Sequence, residues 1–299
     1  MSDDLILEKS TLAVVILTLN EEKNLPHTLH SVIGCAEEVV VLDSFSTDST
    51  LDIAKQYGCK VFQNRFEDYG KQRNHAIAVL PIASEWILFL DADERLTEGL
   101  KREIREKLAT VPEENGFFIK RRLIWMGKWI RRGYYPTWIL RLFRRAKGRC
   151  EERAVNEHLL VEGRVGYLKN DFVHEDRKGI DEWIAKHNQY ATREAEELLR
   201  RDQGVREGEI ALQFSGSQAQ RKRWMRHRVW NRLPPLMRPF LYFFYRYVLR
   251  GGFLDGRAAL VYHFMQALWF PLLIDVKYLE MKRRPIVAPK TEPANAKEE

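Results

Sequence analysis

Short apolar runs of strand length alternate with amphipathic segments over the first third of the chain. Strands are predicted at residues 12–19, 39–42, 60–62 and 86–90, with a helix in each of the three intervals. The first and last runs are continuously apolar, which is typical of strands buried on both faces of a parallel sheet. Strict alternation of strand and helix therefore predicts an α/β fold, a mostly parallel sheet flanked by helices.

Polar clusters follow three of the predicted strands at the point where each strand ends. They occupy residues 18–22, 43–48 and 91–93. Ligands of open parallel sheets bind outside the carboxyl ends of the strands. One polar cluster after a strand is ordinary, but three that converge on one edge predict a ligand site there.

The pattern changes after residue 110. A helix is predicted at 97–108, strands at 116–122 and 138–143, and a long helix at 180–200. The chain is therefore expected to divide into an α/β domain with two halves, a flexible linker, an amphipathic helical region and a disordered tail. These parts lie at residues 1–200 (halves 1–110 and 111–200), 201–220, 221–282 and 283–299, respectively.

The net charge limits the classes of binding partner, and the cysteine content indicates the redox state of the compartment. The chain has 299 residues and a net charge of +7, which favours nucleic acid, nucleotide phosphates or anionic lipid as partners. It carries no nucleic-acid-binding motif, so we expect no nucleic acid. The three cysteines form no CxxC pair and predict a reducing compartment. The acidic N-terminal segment lacks the apolar run of a secretory signal.

The cluster after the fourth strand has the chemistry of a cation site. Asp91 and Asp93 are carboxylates two residues apart, and Mg²⁺ or Mn²⁺ prefers such oxygen ligands. A metal ion there would bridge a diphosphate and stabilise its charge as it leaves. Asp43 is placed to accept a hydrogen bond from a base or ribose, or else to cap a turn. Arg73 is placed to bind a base or phosphate, or else to lie on a solvated helix face.

Four segments together carry a resemblance to a known family. They read VVILTLNEEKNLPHTLHSV (14–32), EEVVVLDSFSTDST (37–50), KQRNHA (71–76) and WILFLDADE (86–94). In order and spacing they resemble glycosyltransferase family 2. The resemblance implies a GT-A fold, inversion at the anomeric carbon, and a UDP- or GDP-sugar donor used with Mg²⁺ or Mn²⁺.

The same resemblance assigns site residues within the half at 1–110, which it makes the nucleotide-sugar-binding half. Thr18, Asn20 and Glu21 would line the nucleotide pocket. Asp43 would contact the base and Arg73 would lie in the same pocket. Asp91 and Asp93 would form the diphosphate and metal motif, with Asp91 toward the diphosphate and Asp93 on the metal.

Later segments are similar to lipopolysaccharide-core glycosyltransferases. They are RLFRR (141–145), AVNEHLLVEG (154–163), FVHED (172–176), the helix with Lys186 and Tyr190, and FLDGR (253–257). This similarity implies transfer from a UDP-sugar, with UDP-glucose favoured, to a membrane-embedded glycolipid, the inner core of lipopolysaccharide. A polyprenyl phosphate or exopolysaccharide lipid acceptor remains an alternative. So do a non-catalytic nucleotide-sugar-binding scaffold and a nucleotidyltransferase, although no Gly-rich basic loop follows the first strand.

An inverting transfer requires a base that removes the proton of the acceptor hydroxyl. The relatives usually read Val-His-Glu where this chain has Val155-Asn156-Glu157, so no role is carried over to Asn156. Glu157 matches the pattern and is the predicted base, in the half at 111–200 that would bind the acceptor. The competing carboxylates are Asp171, Glu175 and Asp176.

Two histidines near these carboxylates receive different interpretations. His174 is predicted to complete the metal shell as a neutral imidazole, against the alternative of a hydrogen-bonded structural histidine. His158 is interpreted as structural.

The apolar stretch at 258–276 is long enough to span a bilayer but is interrupted by polar side chains. Charged and polar groups are costly in the hydrocarbon core, so basic and aromatic helices are predicted to lie in the membrane interface instead. The chain would then be a peripheral protein on the cytoplasmic, inner face of the cytoplasmic membrane, bound to anionic lipid. A soluble helical cap and a homo-oligomer interface are the alternatives. The interrupting residues are His263, Gln266, Pro271 and Asp275.

Overall fold

The computed structural model describes residues 11–151, 158–202, 224–225 and 230–283. The strands are β1 (Leu12–Thr18), β2 (Glu38–Asp43), β3 (Lys60–Gln63), β4 (Trp86–Asp91), β5 (Glu94–Leu96), β6 (Gly116–Trp125), β7 (Lys128–Trp129), β8 (Thr137–Arg144), β9 (Gly148–Cys150), β10 (Leu159–Val161) and β11 (Val165–His174). The α-helices are α1 (Leu25–Val32), α2 (Thr50–Gln56), α3 (Tyr69–Ala78), α4 (Glu98–Ala109), α5 (Ile180–Asp202), α6 (Arg238–Phe244), α7 (Gly256–His263) and α8 (Phe270–Arg283).

The main sheet has the strand order β3-β2-β1-β4-β8-β6-β11-β5, with β7 paired to β6. The first four strands in this order are parallel, as the sequence predicts. β8 is antiparallel to both β4 and β6, β11 is parallel to β6, and β5 is antiparallel to β11. Helices cover both faces of β1 and β4, which explains why these two strands are almost continuously apolar and buried.

The four N-terminal strands and the later strands β6 and β8 agree with the predicted positions to within about three residues. Helix α3 begins before its predicted start at residue 71 because the Asp68 side chain accepts a hydrogen bond from the backbone N–H of Lys71 at 2.7 Å. Thr97 similarly caps α4 through the N–H of Leu100 at 3.2 Å. Strands β5, β7, β9, β10 and β11 were not predicted.

Two helices end slightly beyond the divisions expected from the sequence. Residues 201 and 202, assigned to the linker, belong to α5, and Arg283, assigned to the tail, ends α8. Helix α5 reaches Asp202 because the Asp202 carboxylate accepts hydrogen bonds from Tyr278 and Lys282 of α8. The remaining linker and tail residues lie outside the described part of the chain.

The C-terminal extension, defined here as residues 230–283, folds back on itself. Within it α6 continues into a π-helical turn at Tyr245–Leu249, and a second π-helical turn at Phe264–Trp269 joins α7 to α8. Arg238 at the start of α6 forms a buried ion pair with Asp275 of α8, and Nε lies 2.9 Å from Oδ1. Asp275, which interrupts the apolar sequence, is therefore neutralised inside the extension.

The extension also holds the loop that follows β7. The Asp255 carboxylate accepts hydrogen bonds from the backbone N–H groups of Arg131 at 2.7 Å and Arg132 at 2.6 Å. His263 contacts the Arg132 carbonyl oxygen at 3.2 Å, and burial lowers the pKa of His263 to about 4, so its imidazole is neutral near pH 7. An apolar cluster joins β6 to α7 beneath these contacts. Its buried members are Leu123, Ile130, Ala259 and Tyr262.

Candidate active site

The three polar clusters predicted from the sequence meet at the carboxyl edge of β2, β1 and β4. Thr18 lies opposite Asp43 in the β1–β2 pairing, and Leu17 lies opposite Asp91 in the β1–β4 pairing. The Thr18 hydroxyl donates to Asp43 Oδ1 at 2.9 Å. Neighbouring strands in parallel register place these groups side by side, so the convergence that the sequence predicts is present.

Asp43 is fully buried, and both of its carboxylate oxygens accept hydrogen bonds from the chain itself. The backbone N–H of Ser46 lies 2.8 Å from Oδ2 and the Gln63 side chain lies 3.2 Å from it, while Oδ1 accepts from Thr18 and from the Ser46 hydroxyl. These contacts shape the turn after β2. Asp43 therefore caps this turn, and any hydrogen bond that Asp43 accepts from a nucleotide base would be made in addition to these contacts.

Asn20 and Glu21 join the loops that follow β1 and β2. Asn20 has a left-handed backbone (φ 52°), and its Oδ1 accepts from the N–H of Thr47 at 2.8 Å. Glu21 Oε1 forms an ion pair with Lys178 at 2.6 Å, across from the segment after β11. Burial raises the pKa of Glu21 even though Lys178 acts against it. Asn20 thus connects the loops after β1 and β2, and Glu21 connects the loop after β1 to the segment after β11.

Asp91 is bound by two guanidinium groups, one on each carboxylate oxygen. Arg73 of α3 lies 3.1 Å from Oδ1 and Arg141 of β8 lies 2.7 Å from Oδ2. Arg141 also contacts Glu94 at 2.6 Å, and Glu94 accepts the backbone N–H of Asp91 at 3.0 Å. Burial would raise the pKa of Asp91, but Arg141 and Arg73 outweigh it and hold that pKa well below its usual range.

Asp93 and His174 face each other where β5 pairs with the end of β11. His174 Nε2 lies 3.1 Å from Asp93 Oδ2, and the N–H of Glu175 donates to the Asp93 carbonyl at 2.9 Å. Burial would raise the pKa of Asp93, but its interaction with His174 and the charge of Lys186 outweigh burial and hold that pKa well below its usual value. The buried Nδ1 of His174 has no hydrogen-bond partner among the described residues.

His174 is hydrogen-bonded to Asp93, as in the structural alternative, and the spacing of the pair is also that of two neighbouring ligands of a divalent cation. Within the described ranges, no three side chains of metal-ligating type come together. Neighbouring ligands around an octahedral ion with bonds of about 2.1 Å are about 3 Å apart, which matches the 3.1 Å between Asp93 Oδ2 and His174 Nε2. Each oxygen of Asp91 already accepts from an arginine, which distinguishes Asp91 from Asp93.

The predicted base lies outside the described residues, and each competing carboxylate is already engaged. Asp171 accepts two hydrogen bonds from Arg122, the shorter at 2.8 Å, and a third from Tyr135 at 3.3 Å. Glu175 is bound by Arg95 at 2.5 Å and by Arg177 at 2.7 Å. Asp176 accepts from Asn24 at 3.0 Å and from the N–H of Lys178 at 3.0 Å. All three competing carboxylates therefore already accept hydrogen bonds from neighbouring side chains or backbone.

His158, which the sequence analysis interprets as structural, directly follows Glu157 in the chain and is itself among the described residues. Its Nδ1 lies 3.7 Å from a carboxylate oxygen of the buried Glu151. Its backbone carbonyl accepts the N–H of Glu151 at 2.9 Å, which joins the chain across β9 and β10. These contacts agree with a structural histidine.

Arg141 and Lys186 belong to the site, but the sequence reasoning assigned them no role. Arg141 is buried between two apolar neighbours on β8, and an arginine inside a buried strand was the available signal. Lys186 is half-buried on α5, four residues before Tyr190, whose hydroxyl lies 2.7 Å from that of Tyr69. A lysine on the inward face of an amphipathic helix was the corresponding signal.

Comparison with known proteins agrees with this geometry. Residues 13–153 match the family model for glycosyl transferase family 2. The lipopolysaccharide core biosynthesis glycosyltransferase LpsC of Rhizobium meliloti is 32% identical over 65% of this chain and 74% of its own length. The uncharacterized glycosyltransferase RT0209 of Rickettsia typhi is 26% identical over 63% of this chain and 68% of its own length. The chain belongs to glycosyl transferase family 2, and its sheet with flanking helices is of the GT-A type.

Among solved structures, one similar protein is glucosyl-3-phosphoglycerate synthase from Mycobacterium tuberculosis, crystallised with Mn²⁺ and UDP-glucose. It is 23% identical and superposes with a TM-score of 0.33. The match covers 38% of this chain and 44% of that one, so this chain spans less than half of the solved structure's length.

Proposed function

We propose that this family 2 glycosyltransferase is metal-dependent and inverting, and transfers a sugar from a UDP-sugar to a membrane-embedded glycolipid. UDP-glucose is the favoured donor and the inner core of lipopolysaccharide the favoured acceptor. The donor site is supported mainly by the different contacts of its two aspartates. Asp91 is bound by two arginines, whereas Asp93 is paired with His174. The lipopolysaccharide acceptor is supported by the similarity to LpsC.

The charges of the pocket explain why a cation would help to bind a diphosphate. Arg73 and Arg141 are taken up by Asp91 and Glu94, so these four groups balance one another. A divalent cation held by Asp93 and His174 would supply the positive charge that neutralises the diphosphate as it leaves. Asp91 keeps the two guanidinium groups in fixed positions at the wall of this pocket.

Thr18, Asn20, Glu21 and Asp43 act in this proposal by building the nucleotide pocket. Their hydrogen bonds fix the loops after β1 and β2, whose backbone groups then rim the site. Arg73 is anchored on Asp91, and its guanidinium also packs over the Tyr69 ring at 5.7 Å. Such a pre-ordered pocket binds the nucleotide with little loss of side-chain entropy.

The acceptor half supplies the proton acceptor for the reaction. Glu157 removes the proton of the acceptor hydroxyl as its oxygen attacks the anomeric carbon from the side opposite to the diphosphate. The engagement of Asp171, Glu175 and Asp176 by arginine, tyrosine and amide donors supports Glu157 over them. We retain the proposed division of the first 200 residues into a donor half at 1–110 and an acceptor half at 111–200.

Turnover with defined donors and acceptors tests this function. Purified protein with UDP-glucose and Mn²⁺ is expected to release UDP and glucosylate lipid A–core glycolipid, with inversion of the anomeric configuration seen by NMR. Transfer to polyprenyl phosphate instead would assign the alternative lipid acceptor. UDP binding without turnover on either acceptor would support a scaffold, and pyrophosphate release from a nucleoside triphosphate would support a nucleotidyltransferase.

We further propose that the C-terminal extension rests on the cytoplasmic face of the inner membrane. By length and composition alone, one described helix, Gly252–Arg283, is long and apolar enough to cross a bilayer. Only 28% of its most apolar 18-residue stretch is buried against the rest of the described structure. A core helix of a soluble domain would be mostly buried, so this surface faces a partner. The exposed apolar residues include Phe240, Leu241, Phe244, Leu249, Phe253, Leu254 and Phe264.

An anionic bilayer is the favoured partner because arginines accompany the apolar surface. Arg250 and Arg257 are exposed next to Phe253 and Leu254, and cationic side chains beside apolar ones suit anionic headgroups. A helical cap closed by another domain and a homo-oligomer interface remain alternative uses of the same surface.

A negative charge introduced on this surface is expected to weaken membrane binding. Leu254→Glu should lower sedimentation with vesicles containing phosphatidylglycerol by about tenfold or more, because an exposed leucine that enters the interface contributes about 1.5–3 kcal/mol. Ile33→Glu, at an exposed apolar site beyond α1, is the matched control and should bind as the unmodified protein does. Unchanged binding of Leu254→Glu would contradict the interfacial model, and a loss of dimer mass in light scattering would assign an oligomer interface.

A further inference from the structure

Lys186 lies on the face of α5 that is turned toward the site. Trp183, Lys186 and Tyr190 are spaced i, i+3 and i+7, which places them on one side of the helix. Trp183 is buried against Trp125 and stacks on His187 at 3.5 Å, and the Tyr190 hydroxyl lies 2.7 Å from the Tyr69 hydroxyl. The helix is therefore fixed on both sides of Lys186, which defines the backbone position from which its ammonium group extends.

The charged surroundings of Lys186 are the carboxylates of the candidate active site. Burial acts to lower the pKa of Lys186, but the nearby Asp93, Tyr190, Tyr69 and Glu21 together raise it well above its ordinary value. The charge of Lys186 also acts on both Asp91 and Asp93. This ammonium group is therefore cationic and belongs to the same pocket as the Asp93–His174 pair.

Lys186 differs from the other cations of the pocket in having no direct hydrogen-bond or ion-pair contact with any described residue. Arg73, Arg141 and Lys178 each form an ion pair with a carboxylate at 2.6–3.1 Å. Over the part of the chain that the structure describes, Lys186 forms neither a hydrogen bond nor an ion pair. The carboxylates of Asp93 and Glu21 stabilise the charge of Lys186 without accepting a hydrogen bond from it among the described residues, so its N–H donors are available to a bound anion.

We propose that Lys186 binds the β-phosphate of the nucleoside diphosphate sugar and stabilises it as the leaving group. This inference rests on the proposed function, since it requires a diphosphate next to Asp93. An ammonium group is a compact point charge with three rotatable donors, which suits a phosphate whose charge increases during the reaction. Arg73 and Arg141, held by carboxylates, are less free to follow such a change.

The step that Lys186 assists breaks one bond and forms one. The bond between the anomeric carbon and the β-phosphate oxygen breaks, and its electron pair remains on that oxygen. The acceptor oxygen forms the new bond to the anomeric carbon, and its proton passes to the base. Negative charge thus builds on the β-phosphate, where a cation stabilises the transition state more than the bound donor.

Titration of uridine, UMP and UDP with Mn²⁺ into variants of the full chain tests this assignment. Lys186→Met is expected to weaken UDP binding by at least about tenfold, as for a hydrogen bond to a charged group, and to leave UMP and uridine binding unchanged. Lys186→Arg should recover most of the loss. Lys277→Met is the matched control, since Lys277 donates to Thr192 farther along α5.

The outcomes separate this inference from the proposed function. If the unmodified protein does not bind UDP, the proposed function fails. If it binds UDP and Lys186→Met binds equally well, Lys186 only balances the pocket charge and the inference is overturned. An equal loss for UMP and UDP would also overturn it, because the contact would then be to the α-phosphate. Unchanged uridine binding shows that the variant has kept its pocket.

Discussion

Replacing Asp93 by alanine is expected to lower turnover by about 10³-fold or more and to remove the dependence of donor binding on metal. The Asp93 carboxylate is ionised and pairs with His174, whereas Asp91 is bound by two arginines. Its loss leaves the imidazole alone, and a hard divalent cation does not bind to one nitrogen ligand. Steady-state kinetics with UDP-glucose over a range of Mn²⁺ concentrations measures the effect.

The control for Asp93 is an acidic residue that lies away from the sheet edge. Asp52 is exposed on α2, and its nearest ion-pair partner is Lys55 at 3.8 Å. Asp52→Ala is expected to keep normal turnover, since exposed ion pairs contribute little to stability. If Asp93→Ala retained turnover within about tenfold of normal, with saturating Mn²⁺, the metal assignment would be wrong.

The replacement Glu157→Gln is expected to lower kcat by about 10²–10⁴-fold while leaving donor affinity nearly unchanged. Glutamine keeps the size and polarity of the side chain but does not accept the acceptor's proton. The base acts after the donor has bound, so calorimetric binding of UDP should be the same in both proteins. Rapid-quench turnover with saturating acceptor separates the chemical step from binding.

The competing carboxylates serve as controls for Glu157. Glu175→Gln and Asp176→Asn should change kcat much less than Glu157→Gln does, because their carboxylates hold Arg95 and Asn24 in the folded chain. Their losses should appear in thermal stability instead. Near-normal turnover of Glu157→Gln would show that Glu157 is not the base, and the competitor with the largest loss of kcat would replace it.

The donor half of the fold was predictable because its sequence signals are local. Strands β1 and β4 are buried on both faces and therefore read as continuous apolar runs. The polar clusters after β1, β2 and β4 reach one edge because these strands are parallel neighbours. The positions of Thr18, Asp43, Asp91 and Asp93 follow from that topology alone.

The acceptor half was less predictable because its signals depend on distant pairing. Strand β11 has no regular alternation, since its register with β6 shifts between Tyr167 and Asp171. Arg141 and Glu94 are polar residues in apolar surroundings, and only their contact across 47 residues explains their burial. In the sequence Asp275 interrupts an apolar stretch, and its burial is explained only by the ion pair that it forms with Arg238 in the folded chain.

Calorimetric titration of UDP, with Mn²⁺ and with a chelator, measures whether the donor site depends on a metal ion. UDP is expected to bind in the presence of Mn²⁺, the chelator should weaken this binding, and Asp93→Ala should bind UDP equally weakly with or without metal. GDP titrated in parallel reports the preference for the base. Tight UDP binding that neither the chelator nor Asp93→Ala affects would contradict a metal-dependent donor site at Asp93 and His174.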